Sequence, residues 1–258
     1  MIHTGLVSIT FRKLSPAEIV ELMRKGGLEG IEWGGDVHVP HGDIARAREV
    51  RKMTADAGLT IPSYGSYYRV GLGEPAPFEA VLATAVELGA PVIRVWAGKK
   101  GSAEADEPYR KAVVDDSIRI AELAAKSAVT VAYEFHANTL TDTVDSALDL
   151  LKAANREDLK TYWQPRTGVP AETCLAELNA VLGSLSHVHA FYWVAGPQGR
   201  CPLADGAADW RQYFQALSAA GGDRYVMLEF VKDDSPEMFI EDAATLRTWQ
   251  RDWLRPSP

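Results

Sequence analysis

The strongest constraint on the fold is a regular alternation of short apolar runs with longer amphipathic stretches along the whole chain. Runs of this kind predict strands, and amphipathic stretches with a helical period predict helices. The predicted strands are Gly5–Ile9, Gly30–Trp33, Thr60–Tyr64, Val92–Trp96, Val129–Glu134, Lys160–Trp163, His187–Tyr192 and Tyr225–Phe230. The predicted helices cover about Ser15–Lys25, Asp43–Ala57, Pro77–Leu88, Tyr109–Lys126, Asp142–Ala154, Ala171–Leu182, Asp209–Ala219 and Pro236–Trp253.

The alternation favours one closed barrel over an open sheet. Several predicted strands are apolar at consecutive positions, which is typical of parallel strands that are covered on both faces. Eight strand–helix units in 258 residues match the usual size of a (β/α)8 barrel. An open doubly wound sheet calls for a glycine-rich turn after the first strand, and the segment Thr10–Leu14 contains no glycine. We therefore predict an α/β fold with a single barrel domain over residues 1–258.

Composition excludes several classes of protein. The 47% of apolar and 24% of charged residues are ordinary for a globular chain. No apolar run approaches the roughly 20 residues that cross a bilayer, and the first residues lack the pattern of a signal peptide. The net charge is -8, whereas proteins that bind nucleic acid usually carry an excess of basic residues. We predict a cytoplasmic protein that acts on a small molecule, without a nucleic-acid or membrane partner.

Ligand-type side chains cluster at the ends of the predicted strands, where barrel active sites lie. Glu134 ends the fifth strand, Gln164 follows the sixth, His189 lies on the seventh and Glu229 is near the end of the eighth. A carboxylate inside an apolar strand is costly to bury alone, and a divalent cation is the simplest compensating charge. The set predicts a site of hard oxygen and nitrogen ligands for Mn²⁺, Mg²⁺, Co²⁺ or Zn²⁺.

Ion pairing is the alternative explanation for these carboxylates. The candidate partners are Arg94, Arg200 and Lys232. His187 lies two residues before His189 and therefore shares its strand face. One of the two histidines could belong to the core, and His189 is the predicted ligand because it is nearer the strand end.

The loops that follow the strands supply candidate substrate contacts. Glu32 and His38 are predicted to face the cavity, and Trp96 supplies an aromatic wall. Sugar sites combine such apolar platforms with polar groups for the hydroxyls. The alternatives are a solvated turn and simple aromatic packing between loops. Arg69 and Lys99–Lys100 could contact a phosphate or be solvated.

These residues carry a resemblance to a known family. The chain resembles the xylose isomerase-like TIM barrels, the sugar phosphate isomerase/epimerase group, which includes ketose 3-epimerases, hydroxypyruvate isomerase, inosose dehydratase and AP endonucleases. The resemblance covers essentially the whole chain, although its motifs are short. In the epimerase branch, Glu, Asp, His and Glu on strands five to eight hold the metal. The corresponding residues here are Glu134, Gln164, His189 and Glu229.

The chain departs from the family pattern at two of the corresponding positions. Gln164 replaces the aspartate, and its amide oxygen can bind a hard cation but supplies no charge, so weaker metal binding is implied. Thr167 stands where the family has a substrate-contacting histidine, a role that Arg166 or His136 would take over. The family's arginine in the loop after strand seven corresponds to Arg200, which is thereby implied to contact the substrate.

The resemblance implies a metal-dependent sugar or sugar phosphate isomerase or epimerase. Such an enzyme acts through an enediolate, with Glu134 and Glu229 both as ligands and as the acid/base pair. An inosose dehydratase-like lyase and a metal-free sugar-binding barrel remain alternatives. An AP endonuclease-like hydrolase needs more metal ligands than this chain, with six histidines, offers. It also needs a basic groove, which a net charge of -8 does not favour. The resemblance also implies a homodimer.

Overall fold

The computed structural model describes residues 1–73, 77–196 and 199–253. Eight parallel strands close into a barrel in which each strand pairs with its neighbours in the sequence and the last strand closes against the first. The barrel strands are β1 (Ile2–Val7), β2 (Gly30–Gly34), β3 (Tyr64–Arg69), β4 (Val92–Trp96), β5 (Thr130–Tyr133), β6 (Leu159–Trp163), β7 (Leu185–Ala190) and β10 (Arg224–Leu228). Two short antiparallel strands, β8 (Tyr192–Trp193) and β9 (Arg200–Cys201), lie in the connection that follows β7.

Eight α-helices in the described part of the chain alternate with the barrel strands. They are α1 (Pro16–Gly26), α2 (Ile44–Asp56), α3 (Phe78–Leu88), α4 (Glu107–Ala125), α5 (Val144–Ala154), α6 (Ala171–Val181), α7 (Ala207–Ala220) and α8 (Pro236–Trp253). Ser15 and Glu18 form a capping box at the start of α1, which satisfies backbone donors that the helix leaves unpaired. The predicted (β/α)8 barrel is confirmed. No described helix is both long and apolar enough to cross a membrane.

The side chains of the barrel strands alternate between two buried environments. The larger cluster includes Ile31, Val95, Tyr133 and Val188 together with residues of the surrounding helices. The smaller cluster takes Val92, Ala132, Tyr162 and Met227 from four different strands. Successive side chains of a strand point to opposite faces. The residues two positions after this smaller set therefore share its face, and they are Arg94, Glu134, Gln164 and Glu229.

Three strand predictions are displaced along the chain. β1 covers Ile2–Val7 rather than Gly5–Ile9, because Ser8–Phe11 forms a 3-10 turn whose residues are also buried. β7 covers Leu185–Ala190 rather than His187–Tyr192. β3 covers Tyr64–Arg69 rather than Thr60–Tyr64. Burial extends beyond the hydrogen-bonded ladder at these places, so an apolar run does not mark where strand pairing begins or ends.

Candidate active site

Three predicted ligands meet at the carboxyl ends of the barrel strands, which we call the mouth. One ligand atom from each of Glu134, His189 and Glu229 lies within 4.8 Å of the other two, and all three residues are buried. His189 Nδ1 lies 3.4 Å from a carboxylate oxygen of Glu229 and 3.9 Å from one of Glu134. Gln164 Oε1 lies 3.1 Å from the same nitrogen. The fold therefore brings all four residues of the predicted metal set together.

The donor set fits a divalent cation. Two carboxylates, one imidazole nitrogen and one amide oxygen suit Mn²⁺, Mg²⁺ or Zn²⁺. The imidazole presents Nδ1 to Glu134 and Glu229. Its other nitrogen, Nε2, is buried without a hydrogen-bond partner among the described residues and lies 3.6 Å from Glu32 Oε1. A carboxylate behind a histidine is the usual device for orienting a metal-binding ring.

Arg94 supplies the positive charge that the buried carboxylates share. Its Nε donates to Glu32 over 2.7 Å, and its terminal nitrogen donates to Glu134. Trp96 donates its indole N–H to the same oxygen of Glu134. The ion-pair alternative is thus correct for Glu134 with Arg94. It does not extend to Glu229, which has no described arginine or lysine nitrogen within 4.0 Å.

Glu32 lies deeper than predicted and does not face the cavity. Its carboxylate is fully buried and accepts hydrogen bonds from Arg94, from Ser63 over 2.7 Å and from Tyr162 over 2.9 Å. Burial raises the pKa of Glu32, but Arg94 and His189 outweigh it, so the pKa lies well below its ordinary value. The geometry assigns Glu32 to support of His189, and a substrate contact by Glu32 stays a prediction.

His38 is also placed away from the cavity. Its Nδ1 is 2.9 Å from Ser8 Oγ and its Nε2 is 3.2 Å from the carbonyl oxygen of Leu14, so both ring nitrogens are engaged within the protein. The side chain is buried against Trp33. This histidine holds the loop after β2, and a substrate contact by His38 stays a prediction.

Trp96 and His136 both lie at the mouth. Their rings stack with centroids 4.8 Å apart. His136 Nδ1 lies 2.6 Å from the carbonyl oxygen of Ala137. A nitrogen that faces a carbonyl oxygen donates to it, so Nδ1 is engaged by the backbone and Nε2 is the ring nitrogen left for a substrate. His136 and Gln164 line a cavity of about 370 Å³ that also contacts Asp142, Arg166 and Trp193.

Arg200 is held by other side chains at the rim of the mouth. It pairs with Asp234 and lies over the ring of Phe230 at 4.7 Å. Phe230 directly follows Glu229 in the sequence, and the carboxylate that Arg200 pairs with is Asp234 rather than a residue of the metal set. The structure shows the ion pair, and a substrate contact by Arg200 stays a prediction.

Two residues of the site were missed in the sequence. Tyr162 donates to Glu32, and its ring packs against His189 with centroids 5.0 Å apart. The strand period could have identified it, because Tyr162 lies two residues before Gln164 on the same strand face. Ser63 precedes β3 and also donates to Glu32, and no sequence pattern pointed to it. His187 lies deeper and accepts a hydrogen bond from the backbone of Tyr225.

Comparison with known proteins identifies the family. The profile described as "Xylose isomerase-like TIM barrel" matches residues 20–254. The chain belongs to this family. Among its relatives, a 3-dehydroshikimate dehydratase of Bacillus anthracis is 32% identical over 274 residues, which cover 94% of this chain and 95% of that protein.

Solved structures share the xylose isomerase-like barrel. A probable 3-DHS dehydratase of Bacillus anthracis has a TM-score of 0.78 at 23% identity, covering 95% of this chain and 98% of the other. An IolI protein with a bound zinc atom has a TM-score of 0.76 at 16% identity, covering 98% of each chain. A D-psicose 3-epimerase has a TM-score of 0.71 at 16% identity, covering 98% of this chain and 99% of the other. At these identities the likeness concerns the fold.

Proposed function

We propose that this protein is a divalent-metal-dependent enzyme that removes a proton from a carbon beside a carbonyl group, and that its reaction is the dehydration of 3-dehydroshikimate. The observation that carries the proposal is the meeting of Glu134, His189 and Glu229 within 4.8 Å at the barrel mouth, with Gln164 beside them. The choice of dehydration is supported by the 3-dehydroshikimate dehydratase that is 32% identical to this chain, because the similarity covers 95% of that protein.

The roles of the ligands follow from their contacts. Glu134, Gln164, His189 and Glu229 would hold the cation, which when bound would polarise the substrate carbonyl and stabilise the negative charge that develops on its oxygen. Arg94 and Trp96 hold one oxygen of Glu134, so its other oxygen is the one that faces His189.

Glu229 is the first candidate for the proton acceptor. Its carboxylate contacts His189 and is free of the strong donors that hold Glu134. Glu134 would return a proton where the reaction requires one, as the family resemblance implies. His136 is a second candidate for proton transfer, because its Nδ1 is engaged by the backbone and its Nε2 is the ring nitrogen that remains for a substrate.

The proposed dehydration balances without a further reactant. The substrate ring carries a ketone next to a carbon that bears one hydrogen and one hydroxyl group. Loss of that hydrogen as a proton, followed by departure of the hydroxyl from the next carbon, releases one molecule of water. Transfer of one further ring proton to the ketone oxygen leaves an aromatic dihydroxybenzoate.

Epimerisation of a ketose is the second candidate function. It is favoured by the two glutamates, which approach His189 Nδ1 from separate strands. A proton removed by one carboxylate could be returned by the other with inverted stereochemistry. A metal-free barrel that only binds a sugar is the non-enzymatic alternative.

The test uses the purified chain with Mn²⁺, first with 3-dehydroshikimate and then with ketoses. Dehydration is followed by the ultraviolet absorbance of the dihydroxybenzoate, and epimerisation by incorporation of solvent deuterium. We expect the aromatic product, and we expect its formation to stop with chelator or with Glu229→Gln while the surface variant Glu87→Gln behaves as the wild type. Deuterated ketose without aromatic product would establish the epimerase instead. Binding of sugar without turnover or metal would refute both activities.

A further inference from the structure

Arg69 carries a positive charge beside the candidate site, and it has no carboxylate partner among the described residues. It is the last residue of β3 and lies opposite Trp96 in the β3–β4 ladder. Its guanidinium carbon lies 4.2 Å from the centre of the Trp96 ring, and Trp96 donates to Glu134. The preceding residue, Tyr68, points the other way and bonds to Asp116 of α4. Arg69 therefore lies on the side of the sheet that carries the site.

The guanidinium of Arg69 differs from those of the other arginines around the mouth. Each of the others has a carboxylate partner: Arg12 with Asp36, Arg94 with Glu32 and Glu134, Arg166 with Glu177, and Arg200 with Asp234. Among residues 1–73, 77–196 and 199–253, no carboxylate lies within 4.0 Å of Arg69, and its N–H groups make no hydrogen bond. One face of the guanidinium is covered by Trp96, so its edge is available to a planar anion.

When the charges of the site are added up, the positive charge of Arg69 has no negative counterpart among the site's buried carboxylates. Three carboxylates of the site are buried, and they are Glu32, Glu134 and Glu229. Arg94 and a divalent cation together offset their three negative charges. A ligand that binds there would therefore meet one uncompensated positive charge at Arg69.

We propose that Arg69 binds a carboxylate group of the substrate, so that the substrate class is a hydroxylated ketone that carries a carboxylate. This inference rests on the proposed function and names the residue that recognises the acid group. The planar guanidinium fork matches the two oxygens of a carboxylate in a bidentate arrangement. A phosphate dianion would leave one negative charge unpaired on a single arginine, so the carboxylate is the better match.

The test measures binding separately from catalysis. Calorimetry on the Mn²⁺-loaded chain compares 3,4-dihydroxybenzoate, which has the carboxylate, with catechol, which lacks it. The variants are Arg69→Gln, Arg69→Lys and the exposed control Lys111→Gln. We expect Arg69→Gln to weaken dihydroxybenzoate about 10- to 100-fold while leaving catechol and Mn²⁺ affinity unchanged. Arg69→Lys should recover part of the loss, and Lys111→Gln should match the wild type.

Several outcomes would overturn the inference. Equal weakening of both ligands would show that Arg69 only supports Trp96, and an unchanged affinity for dihydroxybenzoate would show that it binds no carboxylate. Competition by inorganic phosphate that depends on Arg69, without a change for dihydroxybenzoate, would assign the residue to phosphate. A wild type that binds dihydroxybenzoate no more tightly than catechol also refutes the inference.

Failure of the proposed function is distinguishable from failure of this inference. If the wild type does not dehydrate 3-dehydroshikimate but binds dihydroxybenzoate through Arg69, the dehydratase proposal is wrong and the carboxylate subsite stands. If the wild type dehydrates 3-dehydroshikimate and Arg69→Gln does so with an unchanged KM, the dehydratase proposal stands and the carboxylate subsite is wrong.

Discussion

Replacement of Glu32 by glutamine is the sharpest test of the support that lies beneath the site. The carboxylate accepts from Arg94, Ser63 and Tyr162 and lies 3.6 Å from His189 Nε2. Glutamine has nearly the same shape, but its amide nitrogen cannot accept a hydrogen bond. One of these donors would therefore face another donor, and the charge of Arg94 would keep only Glu134 as its partner.

The structure sets the size of the expected effect. Breaking a buried ion pair by removing one partner costs about 3–5 kcal/mol. The lower end applies here because Arg94 retains Glu134 and the hydroxyl groups of Ser63 and Tyr162 can turn towards the remaining oxygen. A loss of about 3 kcal/mol lowers the Tm of a chain of this size by roughly 6–12 °C. Loss of the carboxylate behind His189 should also weaken metal binding about 10- to 100-fold.

Two measurements check this prediction. Thermal unfolding in the presence of chelator reports stability without metal, and competition with a chelating dye reports Mn²⁺ affinity. The control Glu87→Gln removes the exposed pair of Glu87 with Arg48, and its Tm should equal that of the wild type because such pairs contribute little. A Glu32→Gln variant that melts with the control and binds Mn²⁺ as the wild type does would refute the supporting role of Glu32.

Three further predictions concern the metal set and its surroundings. Burial lowers the pKa of His189, but Glu229 and Glu32 outweigh it and raise the pKa to about 9. In the metal-free protein, the stabilisation of the folded state by the protonated ring should therefore be complete below about pH 6.5 and lost as the pH rises through about 9. Urea unfolding across that range checks this, and a flat profile would contradict it. Gln164→Asp adds a negative charge and should tighten Mn²⁺ binding about tenfold or more in a dye competition, whereas weaker binding would show that Gln164 is not a ligand. Gly65→Ala would place a methyl group 2.6 Å from Arg94 Nη2 and 2.9 Å from Glu32 Oε1, so it should destabilise by about 1–3 kcal/mol and reduce turnover; wild-type stability and kinetics would contradict the packing described here.

The fold could be predicted because the physical requirement for a barrel repeats eight times. Each strand must be apolar on both faces and each helix on one face, and this leaves a regular pattern in the sequence. The ends of the strands were less predictable, as β3 shows. Tyr64–Arg69 is the strand, although Thr60–Tyr64 is the more apolar segment. The β3–β4 ladder also shifts register between Gly65 and Arg69, an irregularity of the backbone that an apolar pattern does not predict.

The candidate ligands could be found in the sequence, but their depth could not. Glu134, His189 and Glu229 stand out because a titratable residue at the end of an apolar strand needs a partner. Glu32 and His38 have the same appearance in the sequence, yet both are satisfied by hydrogen bonds within the protein. Burial depends on which strands are neighbours around the barrel and how far each extends, and these relations are set only once the barrel closes.

The contacts of Glu32 have a consequence for how this site could change over generations. Glu32 of β2 accepts hydrogen bonds from Arg94 of β4 and Tyr162 of β6. It also accepts one from Ser63, just before β3, and lies close to His189 of β7. Substitutions at Arg94, Tyr162 and His189 should therefore show strong epistasis, because each alters the background in which the others act. A lineage that acquires a new substrate would preserve this inner group as a block and vary the rim loops instead.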